Sequence, residues 1–221
     1  MSDFAIRPAG DAAVVIDFEA RLDPAINARA VQLAGSIRES GTTGVRDVVV
    51  GYHSVTVYVD PSAIDGSSLD SWLAREAARS RGAAPVSDKT VEVPVVYGGA
   101  EGPDIGVVAQ FAGCSEADVV RIHSSQAYRV YMLGFVPGFA YLAAVDSRIA
   151  APRRQTPRVA VPAGSVGIAG PQTGVYPTET PGGWNLIGRT PLLVFDPDRA
   201  EPCVFKPGDA VRFTPLDRWP G

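Results

Sequence analysis

Residues 128–142, YRVYMLGFVPGFAYL, and 156–190, TPRVAVPAGSVGIAGPQTGVYPTETPGGWNLIGRT, decide how this chain is read. Across residues 128–190, prolines stand at 137, 152, 157, 162, 171, 177 and 181, and glycines at 134, 138, 164, 167, 170, 174, 182, 183 and 188. Proline fixes φ and removes a donor, and glycine admits conformations closed to other residues, so such a stretch has one shape or none. Phe135, Phe139, Tyr141, Tyr176, Trp184 and many aliphatic residues interleave with them, which is the composition of packed surface and not of a disordered linker. The expectation is ordered loops joining short strands. Short apolar runs at 128–135, 166–169, 185–188, 192–195 and 210–214, separated by turn residues, point to a β-barrel or sandwich.

The preceding half alternates helix and strand. Residues 12–18 predict a strand, and Asp23-Pro24 supplies an N-cap followed by proline at the first helical position. Ile26, Ala30, Leu33 and Ile37 then make one apolar helical face that stops at Gly41. Residues 45–50 and 55–59 are β-branched runs around a short connection, and Leu69, Trp72, Leu73 and Ala77 form a second helical stripe. This β-α-β-β-α order becomes ferredoxin-like if the strand predicted near Thr90 closes it. The RGAAPVSD stretch at 81–88 reads as a linker, which gives domains at 1–84 and 85–221 and leaves the Thr90 strand free to open the second. Two short helices are expected at 103–111 and 115–123, the latter with Ser115 and Asp118 at capping-box spacing.

Composition excludes several classes. With 46% hydrophobic residues the chain has ample material for a core, yet no apolar run approaches the roughly 18 residues of a membrane span. The start, MSDFAIRPAGD, lacks signal-peptide regions, so the expected location is the cytoplasm. Cys114 and Cys203 make neither a disulfide framework nor, without a Cys/His cluster, a metal site. The net charge of −4 is uneven: residues 119–195 hold Arg121, Arg129, Arg148, Arg153, Arg154, Arg158 and Arg189 against Asp146 and Glu179. No nucleic-acid module accompanies these arginines, which serve either as solvated and partner-contacting surface or as the grip on a small carboxylate or phosphate.

No Walker A loop, GxGxxG, HExxH or GxSxG signature is present. Gly164, Ser165 and Gly167 lie in PAGSVGIAG, where glycines either present backbone N–H groups to an anion or serve tight strand geometry. His123 stands at a predicted helix C-terminus, where the dipole favours its protonated form, and it serves either as an acid/base or as a hydrogen-bonded structural residue. The GFVPGFAY run at 134–141, with Phe135, Gly138 and Phe139, reads as the wall of an apolar pocket or as a core plug. Arg158, Gln172, Tyr176, Trp184 and Arg189 would orient a ligand there if they converge.

At these residues the chain resembles the family that comprises the B subunit of 5-oxoprolinase, KipI and allophanate hydrolase subunit 1. The resemblance rests on His123 followed by the run at 128–142, on PRVAVPAGSVGIAG at 157–170, and on QTGVYPTETPGGWNLIGRT at 172–190. It implies an α+β protein, a small α/β N-terminal domain followed by a cyclophilin-like β-barrel. It also implies a partner of the KipA type, equivalent to the C subunit of 5-oxoprolinase or to allophanate hydrolase subunit 2, together with the A subunit of 5-oxoprolinase. The implied activity is ATP-dependent opening of 5-oxo-L-proline to L-glutamate, with ATP and possible accompanying Mg2+ belonging to the complex and no cofactor evident on this chain. His123 would then transfer a proton, and Arg158 or Arg189 would hold the substrate carboxylate. The rival expectations are a KipI-like inhibitor of a histidine kinase and a subunit of a biotin-dependent carboxyltransferase like that of urea carboxylase. The chain has neither a biotinylation-type MKM sequence nor a Ser-Ser-Lys amidase signature of its own.

Overall fold

The computed structural model describes residues 3–80 and 89–220, and the chain falls into two units, Met1–Val86 and Ser87–Gly221. The expected boundary at residues 84 and 85, and the linker at 81–88, lie outside the described residues.

In the first unit, β1 (Ala5–Pro8) and β2 (Ala13–Asp17) precede α1 (Pro24–Glu39), β3 (Val45–Val50), β4 (Ser54–Val59) and α2 (Gly66–Arg79). The Asp23 carboxylate accepts from the N–H groups of Ala25 and Ile26 at 2.8 and 3.2 Å, and Pro24 follows as the first helical residue. Asp65 caps α2 the same way, accepting from Ser68 N–H at 2.8 Å. Alternation along β4 buries Val55, Val57 and Val59 against Leu33, Ile37, Leu69 and Leu73 of the helices, each fully buried side chain contributing about 1.5–3 kcal/mol. The sheet order is β1-β2-β4-β3, antiparallel throughout. This is the ferredoxin-like sheet with one change. The edge beside β2 is filled by β1, a strand not predicted from the sequence, and the Thr90 strand lies in the second unit.

That unit begins with β5 (Thr90–Tyr97), α3 (Ile105–Ala112) and α4 (Glu116–Ser124), followed by β6 (Ala127–Leu133), β7 (Ala140–Ala143) and β8 (Arg158–Val161). It continues through β9 (Ser165–Ala169), β10 (Gln172–Val175), β11 (Thr180–Gly182), β12 (Asn185–Arg189) and β13 (Ala210–Leu216). Seven strands close a barrel in the order β10-β7-β6-β13-β5-β12-β9, while β8 and β11 pair separately as a ribbon. The parallel pair β5 and β13 runs in register from Thr90↔Ala210 to Val96↔Leu216. Pro94 and Pro215 are tolerated in it because β12 meets β5 only at Val96 and Tyr97, and β6 meets β13 only at residues 210–212. The predicted strand at 192–195 is not formed. Its residues run as irregular chain, with one isolated bridge between Phe195 and Cys203. The capping box of α4 forms, with Asp118 N–H to Ser115 Oγ at 3.1 Å and Ser115 N–H to Asp118 Oδ2 at 3.3 Å.

Val93, Val95, Val130, Leu142, Val166, Ile168, Val211 and Phe213 fill the second core, and His123 sits among them with no exposure at all. Its ring lies 4.5 Å from that of Phe213 and 5.3 Å from that of Tyr128, centroid to centroid. Nε2 is 2.9 Å from Thr173 Oγ1, which itself donates to the Gly167 carbonyl at 2.9 Å. With its proton committed there, Thr173 accepts from Nε2–H, so Nδ1 is bare and accepts from the Tyr97 hydroxyl at 2.8 Å. Burial pushes the His123 pKa down to about 3. The helix dipole, which favours a protonated histidine, is overridden here: worth at most about 2 kcal/mol, it loses to desolvation.

The sign of the pH effect follows. A histidine depressed in the folded state binds a proton more readily when unfolded, so its contribution is complete above pH about 6.5 and is lost as pH falls toward 3. Between pH 7 and pH 5 this group should cost about 2 kcal/mol of stability. Denaturant titrations at the two pH values should show that loss in the wild type and lack it in His123→Gln. Equal pH dependence in both proteins would contradict the buried neutral ring.

Candidate functional site

Glycine lays the floor of the site. Gly167 of β9 and Gly174 of β10 are direct register partners on the barrel wall. A Cβ at Gly167 would lie 3.0 Å from Trp184 Cβ, and one at Gly174 would lie 3.2 Å from Phe139 Cζ and 3.3 Å from Trp184 Cζ3. With no side chains there, two large rings lie directly against the backbone. Gly164 and Gly167 of PAGSVGIAG thus serve close packing, since a Cβ at Gly164 would run into the Thr190 carbonyl oxygen, and of the two readings of this loop the geometry favours tight strand packing over an anion loop. Gly164 N–H donates to the Tyr176 carbonyl at 2.7 Å and Ser165 N–H to the Pro162 carbonyl at 3.2 Å, so neither is turned toward a ligand.

Phe139 is the hub of the cluster. Its ring stands edge-on to Phe135 at 5.6 Å, Tyr141 at 4.9 Å, Tyr176 at 5.2 Å and Trp184 at 5.3 Å, the geometry that aromatic quadrupoles favour. Phe139, Tyr176 and Trp184, with Val161, Ala169 and Leu186, make a small core of their own, against which Tyr141 packs. Phe135, at the outer end of the β6–β7 connection, is 58% exposed and has φ of 70°, a left-handed conformation that costs a bulky residue about 1–3 kcal/mol. Gly138 in the same turn packs under Phe195, whose Cβ would lie 2.5 Å from an added Cβ. It is a packing residue and not a ligand contact.

Phe135, Phe139, Tyr141, Gln172, Tyr176 and Trp184 line a cavity of about 320 Å³, bounded by Pro157, Pro181, Gly182, Gly183 and Arg153. Five of the residues expected from the sequence therefore converge: Phe135, Phe139, Gln172, Tyr176 and Trp184. Its cation is Arg153, which the sequence offered only as one of seven arginines. Arg153 makes no hydrogen bond or ion pair within the described residues, and its charge opposes the upward shift that burial gives the Tyr141 and Tyr176 hydroxyls. Both hydroxyls remain neutral. Among the described residues the lining holds no carboxylate.

The two arginines expected to bind substrate are already paired. Arg158 forks onto Asp104, with its two terminal nitrogens each 2.8 Å from a carboxylate oxygen. Arg189 donates from Nε to the Ala163 carbonyl at 2.8 Å, lies 3.5 Å from Glu101, and stacks on Trp219 at 4.9 Å. Both, with Ser165, line a separate cleft of about 200 Å³. His123 lines neither cavity. Within the described residues there is no group of three His, Cys, Asp or Glu that could hold a metal ion, and no helix is long and apolar enough to cross a membrane.

A cavity walled by aromatic rings, with two neutral phenols, an amide and one unpaired guanidinium, suits a small apolar ring that carries a carboxylate and an amide. The chain is similar to the B subunit of 5-oxoprolinase from Escherichia coli O157:H7, with 46% identity over 207 residues that cover 93% of both chains. A crystal structure of TTHA0988 superposes with a TM-score of 0.82 at 36% identity over 93% of this chain, which spans 40% of that longer one. The Kluyveromyces lactis urea carboxylase shares the fold, with a TM-score of 0.76 at 22% identity over 96% of this chain and 22% of that one. The model of the carboxyltransferase domain, subdomain C and D, matches residues 4–205, and the chain belongs to that family.

Proposed function

We propose that this chain is the B-type subunit of a 5-oxoprolinase complex and that the aromatic pocket takes 5-oxo-L-proline. The observation that carries the reading is the Arg153 guanidinium, which has no partner among the described residues and stands at the edge of an aromatic box with no carboxylate among them. The substrate ring lies against the wall that Phe139 and Trp184 form together, its carboxylate meets the planar fork of Arg153, and its lactam oxygen and N–H find the hydroxyls of Tyr141 and Tyr176 and the Gln172 amide. Membership of the family and the 46% identical relative, named as the B subunit of 5-oxoprolinase, support the same assignment.

In this reading the chain binds, orients and dries the lactam. Hydrolysis of a five-membered lactam needs activation of its carbonyl, chemistry that ATP would supply when bound in the complex. The residues of this chain fit ATP poorly. A triphosphate with Mg2+ needs oxygen ligands and several cations, and the pocket offers a single guanidinium. In this reading ATP binds outside the aromatic pocket. The likeness to urea carboxylase stands at 22% identity and speaks only for the fold, and no observation favours kinase inhibition.

ATP turnover by this chain with its partner subunits should depend on 5-oxo-L-proline, and the chain alone should be silent. Folded, associated subunits that hydrolyse no ATP with that lactam would sink the assignment. Within the active complex, Arg153→Lys should raise KM about tenfold, because a point ammonium cannot copy a bidentate fork. Arg189→Lys, whose partner is Glu101, should leave KM unchanged. A KM that moves with Arg189 and not with Arg153 would return the carboxylate to the smaller cleft.

A further inference from the structure

Arg153 is free at its tip and fixed at its base. The preceding Ala151 carbonyl accepts from Gly170 N–H at 2.7 Å, and the Pro152 carbonyl accepts from Asn185 Nδ2 at 2.8 Å. On the other side, Arg154 N–H donates to the Gly183 carbonyl at 2.9 Å, and its guanidinium reaches Asp104 Oδ1 at 2.9 Å. Arg158 closes the segment with its fork on the same carboxylate. The residues on both sides are thus clamped, and Arg153 between them is the side chain left to face the pocket.

Asp104 is the centre of the clamp. It occupies the N-cap position of α3, where an aspartate ordinarily accepts from the helix's first N–H groups, yet its side chain makes no capping bond. The carboxylate is instead 3% exposed and turned to Arg154, Arg158 and the Leu186 N–H, the last at 2.8 Å, while Asp104 N–H returns a bond to the Leu186 carbonyl at 2.8 Å. Burial alone would raise its pKa, but the bonds from Arg158 and Leu186 and the charges of both arginines outweigh it, so the carboxyl is held below its usual value. A capping bond has been given up for a tie between α3, β12 and the strap at 151–158. One carboxylate serves two guanidiniums, so the strap keeps a surplus of positive charge beside Arg153.

We infer that Asp104, with Asn185, is a positioning residue for the pocket's anion grip: the pair fixes the strap so that Arg153 presents its guanidinium to a carboxylate in the aromatic box. The inference rests on the reading of that box as the 5-oxo-L-proline site, and it assigns the tightness of the grip to residues that do not touch the ligand.

The test uses the assembled complex and two probes, 5-oxo-L-proline as substrate and 2-pyrrolidinone, the same lactam without its carboxylate, as competitive inhibitor. The ratio of the inhibitor's Ki to the substrate's KM reads the carboxylate grip alone, because loss of folded protein lowers kcat and leaves the ratio. Arg153→Gln should collapse the ratio. Asp104→Asn, which keeps an acceptor for Leu186 N–H but loses the charge, should lower it about threefold or more, and Asp104→Glu should restore part of it. Asn185→Ser releases the Pro152 carbonyl without changing any charge and should act in the same direction, which keeps the inference testable if Asp104→Asn fails to fold. A ratio unmoved in the Asp104 and Asn185 variants, with only kcat or Tm reduced, overturns the positioning role. No preference for the carboxylate in the wild type, or one untouched by Arg153→Gln, removes the pocket reading first and the role of Asp104 with it.

Discussion

The parallel pairing of β5 with β13 brings the two ends of the second unit together, and everything that follows depends on it. A seven-stranded barrel closed in this way is too narrow to be anything but packed, and Val93, Val95, Val130, Ile168, Val211 and Phe213 fill it. His123 is part of that filling. The tyrosine, imidazole and threonine line of Tyr97, His123 and Thr173 satisfies every polar atom it takes inside, as a buried polar group must. The same closure pushes the chemistry outside. A ligand has no room among these side chains, and the candidate pocket lies on the outer wall of the barrel, beside Pro181 and Gly182 of β11.

On that wall two paired glycines let Phe139 and Trp184 approach the backbone closely, and the rings in turn make the box. The box is largely apolar, and among the described residues its one unpaired charge is the Arg153 guanidinium. An anionic ring gains a guanidinium in a site of lowered dielectric, whereas a cationic ligand would meet Arg153 with no carboxylate to offset it. The exposed Phe135, held at positive φ, stands at the mouth where a partner or a bound ligand can cover it.

Much of this is legible in the sequence where the controlling interactions are local. Asp23-Pro24 and Ser115 with Asp118 announce their helices because a cap lies within a few residues of what it caps. The aromatic and glycine alternation at 134–141 and 164–184 announces a packed pocket because ring and floor come from neighbouring strands. The strand β1 escapes notice because AIRP is short and its burial does not alternate. Residues 192–195 mimic a strand, being apolar, but they find only a single bridge. The arginines mislead for a different reason. Arg153, Arg158 and Arg189 look alike in the sequence, and what separates them is the placement of Asp104 and Glu101 more than fifty residues upstream, which only the tertiary fold reveals. For His123 the spacing correctly gives the end of a helix, but it carries no sign that the helix end is driven into the barrel.

The most direct test is a crystal structure of the protein, in its complex, with 5-oxo-L-proline bound. The account predicts the lactam ring against Trp184 and Phe139 with its carboxylate in hydrogen-bond contact with Arg153, while the Asp104 tie to Arg154 and Arg158 stays closed. Ligand density in the cleft between Arg158 and Arg189, or solely on a partner protein with the aromatic pocket empty, would contradict it.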